Sequence, residues 1–465
     1  MKLLFGITVI FLLFSCATTH KKNQEPVAFW LTKADASVKL EQQKQLYFDT
    51  VRNDFPEIRV DAQKTFQKIK GFGYTLTGGS AAVINSLSDE KKQALLQELF
   101  GVNENSISIS YLRISIGASD LNAFVFSYND LPKGQTDSTQ EYFSLDKDLE
   151  LIQLLKEIIK IQPKIKIMAV PWSAPAWMKD DFTTKGSGLS RKYYDSYALY
   201  FVKYIQEMQK RGIAIESICI QNEPLNGDNN PSMVMLSQEQ AEFIKYYLGP
   251  FFKKEKVKTK IILYDHNCDV PNYPISILDD QEANPYIDGS AFHLYGGTIE
   301  ALSEVHDAHP SKNIYFTEQW TSSQGEFSGD LNWHTKNVMI GSMRNWSQIA
   351  LEWNLANDPT FNPHTVGGCT QCKGAITIED STSFTRNVSY YTIAHASKFI
   401  PSGSIRIESN TSELLPNVAF VTPEGKKVLL VENNSASLQR FNIKEKNHWI
   451  TLSLDAGSVA TLIWK

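Results

Sequence analysis

An α/β fold, a closed barrel of eight strand–helix units with an antiparallel β-sandwich beside it, follows from three features of this 465-residue chain. Short apolar runs alternate with longer amphipathic ones from Gly71 to about Leu355. Eight short runs can be counted, the number that closes a TIM barrel, whose usual size is about 250 residues. Both chain ends instead show period-two alternation broken by turn signals, the mark of antiparallel strands. The expected division is a barrel over 70–395 and one sandwich assembled from 27–69 and 396–465. With 42% hydrophobic content, the chain can bury a core large enough for both.

The first segment reads as an address. After Met1 and Lys2 comes LLFGITVIFLLF, too short for a comfortable membrane span, and then Ser15 and Cys16. This pattern predicts a bacterial secretory signal over 1–15. Leu13, the small Ser15 and Cys16 resemble a lipobox, which implies cleavage before Cys16 and lipidation of its thiol and amine. The plainer alternative is an ordinary signal peptide with a cysteine near its end. The polar ATTHKKNQEP reads as a tether, over 16–26, from membrane to globular body. The expected place is the bacterial cell envelope, with the lipid anchor as the membrane contact. A net charge of −5 with no basic stripe excludes a nucleic-acid partner.

The eight barrel strands are, in order, KGFGY, ISYLRISI, KIKIMAVPW, SICIQNEP, KIILYDHN, DGSAFHLYG, NIYFTEQW and QIALEWNL. Helical patterns separate them. DKDLELIQLLKEIIKI repeats its apolar residues at three- and four-residue spacing, and SRKYYDSYALYFVKYIQEMQKRG ends on a glycine stop. The sandwich ends contain FPEIRVDAQKTFQKIK before the barrel and, after it, strands punctuated by TPEG and LDAG. Of the remaining cysteines, Cys219 lies in an apolar strand and reads as a small buried thiol, as in many cores. GGCTQC is a lone pair, Cys369 and Cys372, with no second pair or paired histidines nearby. It is open to two readings, a zinc site or, as an exported protein favours, a local disulfide.

A barrel of this kind keeps its active site at the C-terminal ends of its strands. Polar residues should therefore appear where each apolar run stops. They do: Arg113, Trp172, Asn222 and Glu223, His293 and Tyr295, Glu318, and Trp353 with Asn354. Glu223 and Glu318 are the two glutamates that follow a strand core and precede a turn. Two converging carboxylates are what glycoside hydrolysis requires, one protonated to release the leaving oxygen and one ionised to attack or to activate water. Aromatic residues at the rim (Trp172, Trp177, Tyr295, Trp320, Trp353) offer stacking faces for sugars, or else plain packing. The competing account of the glutamates is a structural ion pair with Arg113. YDHNCD gathers Asp265, His266, Cys268 and Asp269, but neighbours on a strand point to opposite faces, so no metal or other cofactor is expected.

Taken in order, KGFGYTLTGGSA, YLRISIGASDLNAF, VPWSAPAWMKD, IQNEPLN, FHLYGG, YFTEQW and LEWNLANDPTFNPHTVGG resemble glycoside hydrolase family 30, the glucosylceramidase-like retaining β-glycosidases. The resemblance implies that Glu223 is the general acid/base and Glu318 the nucleophile. It also implies that Asn222 holds the sugar 2-hydroxyl, that Asp120 and Trp172 hydrogen-bond the innermost sugar, and that Trp353 lines its site. Arg113, His293 and Tyr295 fall in the surrounding shell, the arginine keeping the nucleophile ionised. A retaining cycle of this type needs the carboxyl groups about 5 to 5.5 Å apart.

The substrate is less directly written. Gly78 stands where the animal glucosylceramidases have an aspartate, and GGCTQCKGAIT is unlike that branch; both look closer to the branch with endo-acting β-1,6-glucanases. A lipid-anchored enzyme without an apolar lipid-docking helix also suits an external polysaccharide. The expected substrate is β-1,6-linked glucan, with glucosylceramide or a short β-glucoside as the alternative and xylan further behind. A non-catalytic, glycan-binding surface lipoprotein is the alternative of another class.

Overall fold

The computed structural model describes residues 26–465. The expected signal peptide, Cys16 and all but the last residue of the tether lie outside the described residues; that last residue, Pro26, already opens a strand, Pro26–Thr32. No helix among the described residues is long and apolar enough to cross a membrane.

Eight parallel strands close the barrel: β1 (Gly71–Thr75), β2 (Tyr111–Ser115), β3 (Lys166–Val170), β4 (Ser217–Cys219), β5 (Lys260–Cys268), β6 (Ile287–Gly297), β7 (Asn313–Glu318) and β8 (Ser347–Asn354). Each coincides with one of the apolar runs. Closure is made by β8 against β1, with Ile349 opposite Gly71 and Leu351 opposite Gly73. Gly73 is obligatory there, since a Cβ would come within 1.9 Å of the Tyr111 carbonyl oxygen on β2. A group of side chains including Met168, Val170, Cys219, Ile262, Tyr315 and Leu351 fills a core beneath the mouth, and Cys219 is a buried free thiol as expected.

The helices pack by the periodicity their sequences carry. Leu149–Ile161 buries Leu151, Ile152, Leu154, Leu155 and Ile158, which share one face at helical spacing. Tyr194–Lys210 buries a stripe of aromatic residues, and the stop after it is Gly212, at φ +83°.

Ten strands from both chain ends join in one folded-over sheet, the β-sandwich. Four precede the barrel and six follow it, and the last strand, Val459–Trp464, lies between Pro26–Thr32 and Lys427–Glu432. The pairing is antiparallel with one exception: Gln439–Glu445 runs parallel to Glu57–Lys68. These two strands come from opposite ends of the chain, so no hairpin imposes a direction on them. The buried helix Val388–Ser397 packs under the sheet, and the first C-terminal strand, Ile405–Ser409, begins only after the turn that follows.

Candidate active site

Arg113, at the centre of β2, is fully buried, where an unpaired cation would be very costly. Its guanidinium is divided among four acceptors. Nη1 donates to Glu318 Oε2 at 2.6 Å and more weakly to Thr75 Oγ1 at 3.4 Å, and Nη2 donates to Asp265 Oδ2 at 2.7 Å and to Asn222 Oδ1 at 2.5 Å. The flat group also lies 4.8 Å from the Trp172 ring and 5.7 Å from the Trp353 ring, so it joins strands on several sides of the mouth.

Asp265 reaches Arg113 because β5 does not alternate regularly. Tyr264 and Asp265 both have positive φ, 70° and 58°, and the pairing with β6 steps from Ala291↔Tyr264 to Phe292↔His266. This bulge turns consecutive residues toward the same site: Asp265 is bonded to Arg113 inside the barrel, and His266 lines the cleft above. The reading of YDHNCD as residues on opposite faces is thus corrected for this pair, while Asp269 stays exposed. Thr317 completes Asp265 by donating from Oγ1 to Oδ1 at 2.7 Å.

His293, on β6, has a carboxylate on either side, Glu223 Oε1 3.1 Å from Nδ1 and Asp265 Oδ1 3.3 Å from Nε2. Two carboxylate acceptors call for two N–H donors, hence an imidazolium. Burial opposes that charge, but Glu318 and the two bonded carboxylates outweigh it and push His293 up to about 9.

Glu223 follows β4 in a left-handed conformation, φ +44°, which is strained for a residue with a side chain. Its N–H donates to the Asp265 carbonyl at 2.9 Å, and its Oε2 accepts from Asn226 Nδ2 at 2.7 Å. Glu318 closes β7, with Oε2 on Arg113 and Oε1 accepting from Tyr295 Oη at 2.9 Å. One oxygen of each glutamate and a ring nitrogen of His293 lie within 4.8 Å of one another. The spacing suits a retaining pair and is too short for the ~6.5–9.5 Å of inverting enzymes. These three residues could by distance hold a cation, but their donor atoms are already engaged by Arg113, Tyr295, Asn226 and each other.

The charges differ from expectation in one respect. Arg113 does contact Glu318, yet burial outweighs it and His293, and leaves the Glu318 carboxyl above its ordinary range. In Glu223 burial also pushes upward most strongly, but the hydrogen bond and charge of His293, with His266 and Asn226, together outweigh it and hold the carboxyl below that range. In this arrangement the proton an acid catalyst needs sits on His293, one hydrogen bond from Glu223.

The cleft above is about 480 Å³ and is lined by Asp120, Trp172, Tyr295, Trp320 and Trp353 along with both glutamates. Asp120 is buried, with Oδ2 accepting from the Cys369 N–H at 3.2 Å and Oδ1 unpartnered; burial pushes it up to about 7. Cys369 and Cys372 form a disulfide that is part of the cleft wall, which resolves the two readings of that pair.

Residues 69–400 match the glycosyl hydrolase family 30 TIM-barrel domain, and residues 403–462 match that family's β-sandwich domain. The chain belongs to glycoside hydrolase family 30. Among its curated relatives is the endo-1,6-β-D-glucanase neg1 of Aspergillus fumigatus, 33% identical over 395 residues, or 79% of this chain and 78% of the relative. The lysosomal acid glucosylceramidase of Mus musculus is 27% identical and covers 88% of this chain and 83% of its own length. Among solved structures, the endo-β1,6-glucanase BT3312 superimposes with a TM-score of 0.87 at 32% identity, covering 94% of this chain and 99% of its own. This family 30 protein is accordingly a glycosidase.

Not every expected residue faces the cleft. Arg113 bonds Glu318 and His293 bonds Glu223, and neither is among the residues that line the opening; Asn222 accepts from Arg113 through Oδ1. Trp177 takes the packing alternative: it is buried and absent from the cleft lining, donating from Nε1 to the Asn129 carbonyl at 2.9 Å and meeting Tyr193 edge-on. The polypeptide turns into a short helical turn, Ala176–Met178, just before it, which rotates the indole into the loop core. Asp265, His266 and Asn226 belong to the site and are not among the expected site residues; the signals for them are the cluster YDHNCD, set aside by the rule of alternation, and the proximity of Asn226 to Glu223 in NEPLN. At Gly78 a Cβ would fall 2.0 Å from Asn122 Nδ2, so the Asn122 amide occupies the space a side chain there would need.

Proposed function

We propose that this family 30 glycosidase hydrolyses β-1,6-linked glucan by double displacement, with Glu318 as nucleophile and Glu223 as general acid/base. The observation that carries the mechanism is the approach of one oxygen of each glutamate within 4.8 Å of the other, with His293 Nδ1 3.1 Å from Glu223 and 3.7 Å from Glu318. Glu318 attacks the anomeric carbon while Glu223 protonates the departing oxygen, and a covalent glycosyl-enzyme results. His293 replaces that proton across its hydrogen bond and is left neutral, until the proton that Glu223 takes from water in the second step returns to it. Water next attacks with Glu223 as base, the C–O bond to Glu318 breaks, and the carboxylate returns to Arg113 and Tyr295.

Asp120, carrying a free buried oxygen, accepts or donates to hydroxyls of the innermost sugar, whose apolar face meets Trp172, Trp320 or Trp353. The choice of β-1,6-glucan rests on relatives from Aspergillus fumigatus and Neurospora crassa, both named endo-1,6-β-D-glucanases, at 33% and 34% identity. Products from linear β-1,6-glucan, separated by chain length over time, test it. An early ladder of short oligosaccharides supports the proposal. Hydrolysis confined to glucosylceramide or aryl β-glucosides would keep the mechanism and replace the substrate.

The proposal includes export and lipidation at Cys16. The run LLFGITVIFLLF before Cys16 and a disulfide of the kind favoured in oxidising compartments support it. Cys16→Ser should move the protein from the membrane to the soluble fraction of the envelope; unchanged membrane retention counts against lipidation.

A further inference from the structure

Part of the cleft wall is built around Glu223: Asn226 donates to its Oε2 at 2.7 Å, His266 Nδ1 stands 3.9 Å from its Oε1, and Leu225 and Asn229 belong to the same loop after β4. In a double displacement the departing oxygen is the one that Glu223 protonates, so the leaving half of the substrate must lie beside this part of the wall.

His266 is incompletely bonded there. The residue is 7% exposed, and its Nδ1 is buried without a hydrogen-bond partner. Glu223 Oε1 is 3.9 Å from that nitrogen, beyond hydrogen-bond range, and already takes His293 at 3.1 Å. An edge-on contact with the Tyr264 ring, centroids 5.7 Å apart, fixes the imidazole in place. A buried polar nitrogen left unpaired beside a catalytic carboxyl marks the position of a partner that arrives with the substrate. Burial holds His266 below its ordinary pKa, so it is neutral, with one nitrogen donating and one accepting. A sugar hydroxyl likewise does both. Leu225, 38% exposed, adds apolar surface for a ring face, and Asn229 adds a polar edge.

We propose that the part of the cleft beside Glu223 is the subsite for the departing glucosyl unit, and that His266 hydrogen-bonds a hydroxyl of that unit beside the scissile oxygen. This rests on the retaining β-1,6-glucanase reading above. By microscopic reversibility the same subsite receives an incoming sugar: its hydroxyl attacks the anomeric carbon of the glycosyl-enzyme, the bond to Glu318 breaks, and the hydroxyl proton passes to Glu223.

The test isolates that second step. The enzyme is inactivated with a 2-fluoro-β-gentiobiosyl fluoride, excess reagent is removed, and the return of activity is followed in buffer and with rising gentiobiose. The wild type should recover faster with gentiobiose, saturably. The ratio of gentiobiose-promoted to buffer recovery should fall about tenfold in His266→Ala and about threefold in Asn229→Ala, the loss of one hydrogen bond or part of one. His266→Asn, which keeps a polar side chain, serves if the alanine variant does not fold. Ratios within twofold of the wild type in the His266 and Asn229 variants overturn the proposal. Labelling of the wild type without any acceleration by gentiobiose overturns the subsite and leaves the retaining mechanism intact. Absence of a mass-detectable label on the wild type overturns the mechanism and the subsite with it.

Discussion

His293 at the barrel mouth and His395 at the seam between barrel and sandwich are both completely buried, yet they carry different charges. His395, on the helix Val388–Ser397, bonds two hydroxyls, Thr461 Oγ1 2.9 Å from Nδ1 and Thr32 Oγ1 2.8 Å from Nε2. The Thr461 hydroxyl spends its proton on the His395 carbonyl, so it accepts from Nδ1–H, and the Thr32 hydroxyl donates to Nε2. That pattern is complete for a neutral ring, and burial pushes His395 down to about 3. At the mouth the partners are carboxylates and the ring is held charged. Burial sets the cost of a charge, and the partners decide whether the charge exists. The seam uses its histidine to clip both chain ends to the barrel, whereas the mouth uses its own to store a proton.

Substitutions should separate these two roles. The largest effect is expected from Glu318→Gln, with turnover of β-1,6-glucan reduced roughly ten-thousand-fold and sugar binding retained. Its denaturation midpoint should stay near the wild type, because Arg113 keeps Asp265 as a partner. A variant with substantial turnover would remove Glu318 from the chemistry.

Asp265→Asn should damage both activity and stability. It takes a carboxylate from Arg113 and His293 together, and breaking such a buried pair costs about 3 to 5 kcal/mol, readable by denaturant unfolding. Activity should fall as well, about a hundredfold, because His293 loses one of the three carboxylates that keep it protonated. His395→Ala is the reciprocal case. Two buried hydroxyls lose their partner, which costs about 2 to 4 kcal/mol of stability, while turnover at low temperature should persist.

The two histidines should also shape stability against pH from opposite sides. His395 binds its proton less readily when folded, so its contribution is full above pH 6.5 and is lost as pH falls from there toward about 3. His293 is raised when folded, so its contribution is full below pH 6.5 and is lost as pH rises toward about 9. Each limb has a slope of at most about 1.4 kcal/mol per pH unit. Denaturant midpoints measured across this range should lose the acid limb in His395→Gln and the alkaline limb in His293→Gln. Equal loss of both limbs in either variant contradicts the assignment.

The smallest effect is expected at the disulfide. Cys369 supplies the N–H that holds Asp120, and Ser322 pairs with Cys372, so the bridge ties the Asp120 loop to the strand beyond Glu318. Cys372→Ser should raise KM about three- to tenfold with less change in kcat, the scale of one weakened hydrogen bond. The bridged loop is short, so its stability contribution is about 2 kcal/mol or less.

Much of the barrel was legible because its strands are buried on both faces and read as continuous apolar runs with polar ends. The ends of those runs pointed to Glu223 and Glu318 for the same reason: a carboxylate after a buried strand has little structural purpose. Trp177 and Trp172 look alike in PWSAPAW, yet Trp177 falls within the helical turn Ala176–Met178 and Trp172 lies before it, and nothing in that string of residues announces the turn. Asp265 was hidden by the rule of alternation itself. The rule holds for regular pleats, and β5 departs from one through two consecutive left-handed residues.

Local pattern by itself determined the periodicities, hence the elements, their order and the two glutamates placed where strands stop. Only the tertiary structure decided which side chains share a charge. Asp265, His293, Arg113 and Glu318 stand on four different strands, and their bonds depend on barrel closure and on a bulge that long-range pairing imposes. A hydrogen bond is settled by tenths of an ångström between residues distant in sequence, and side-chain spacing along one chain carries no such information.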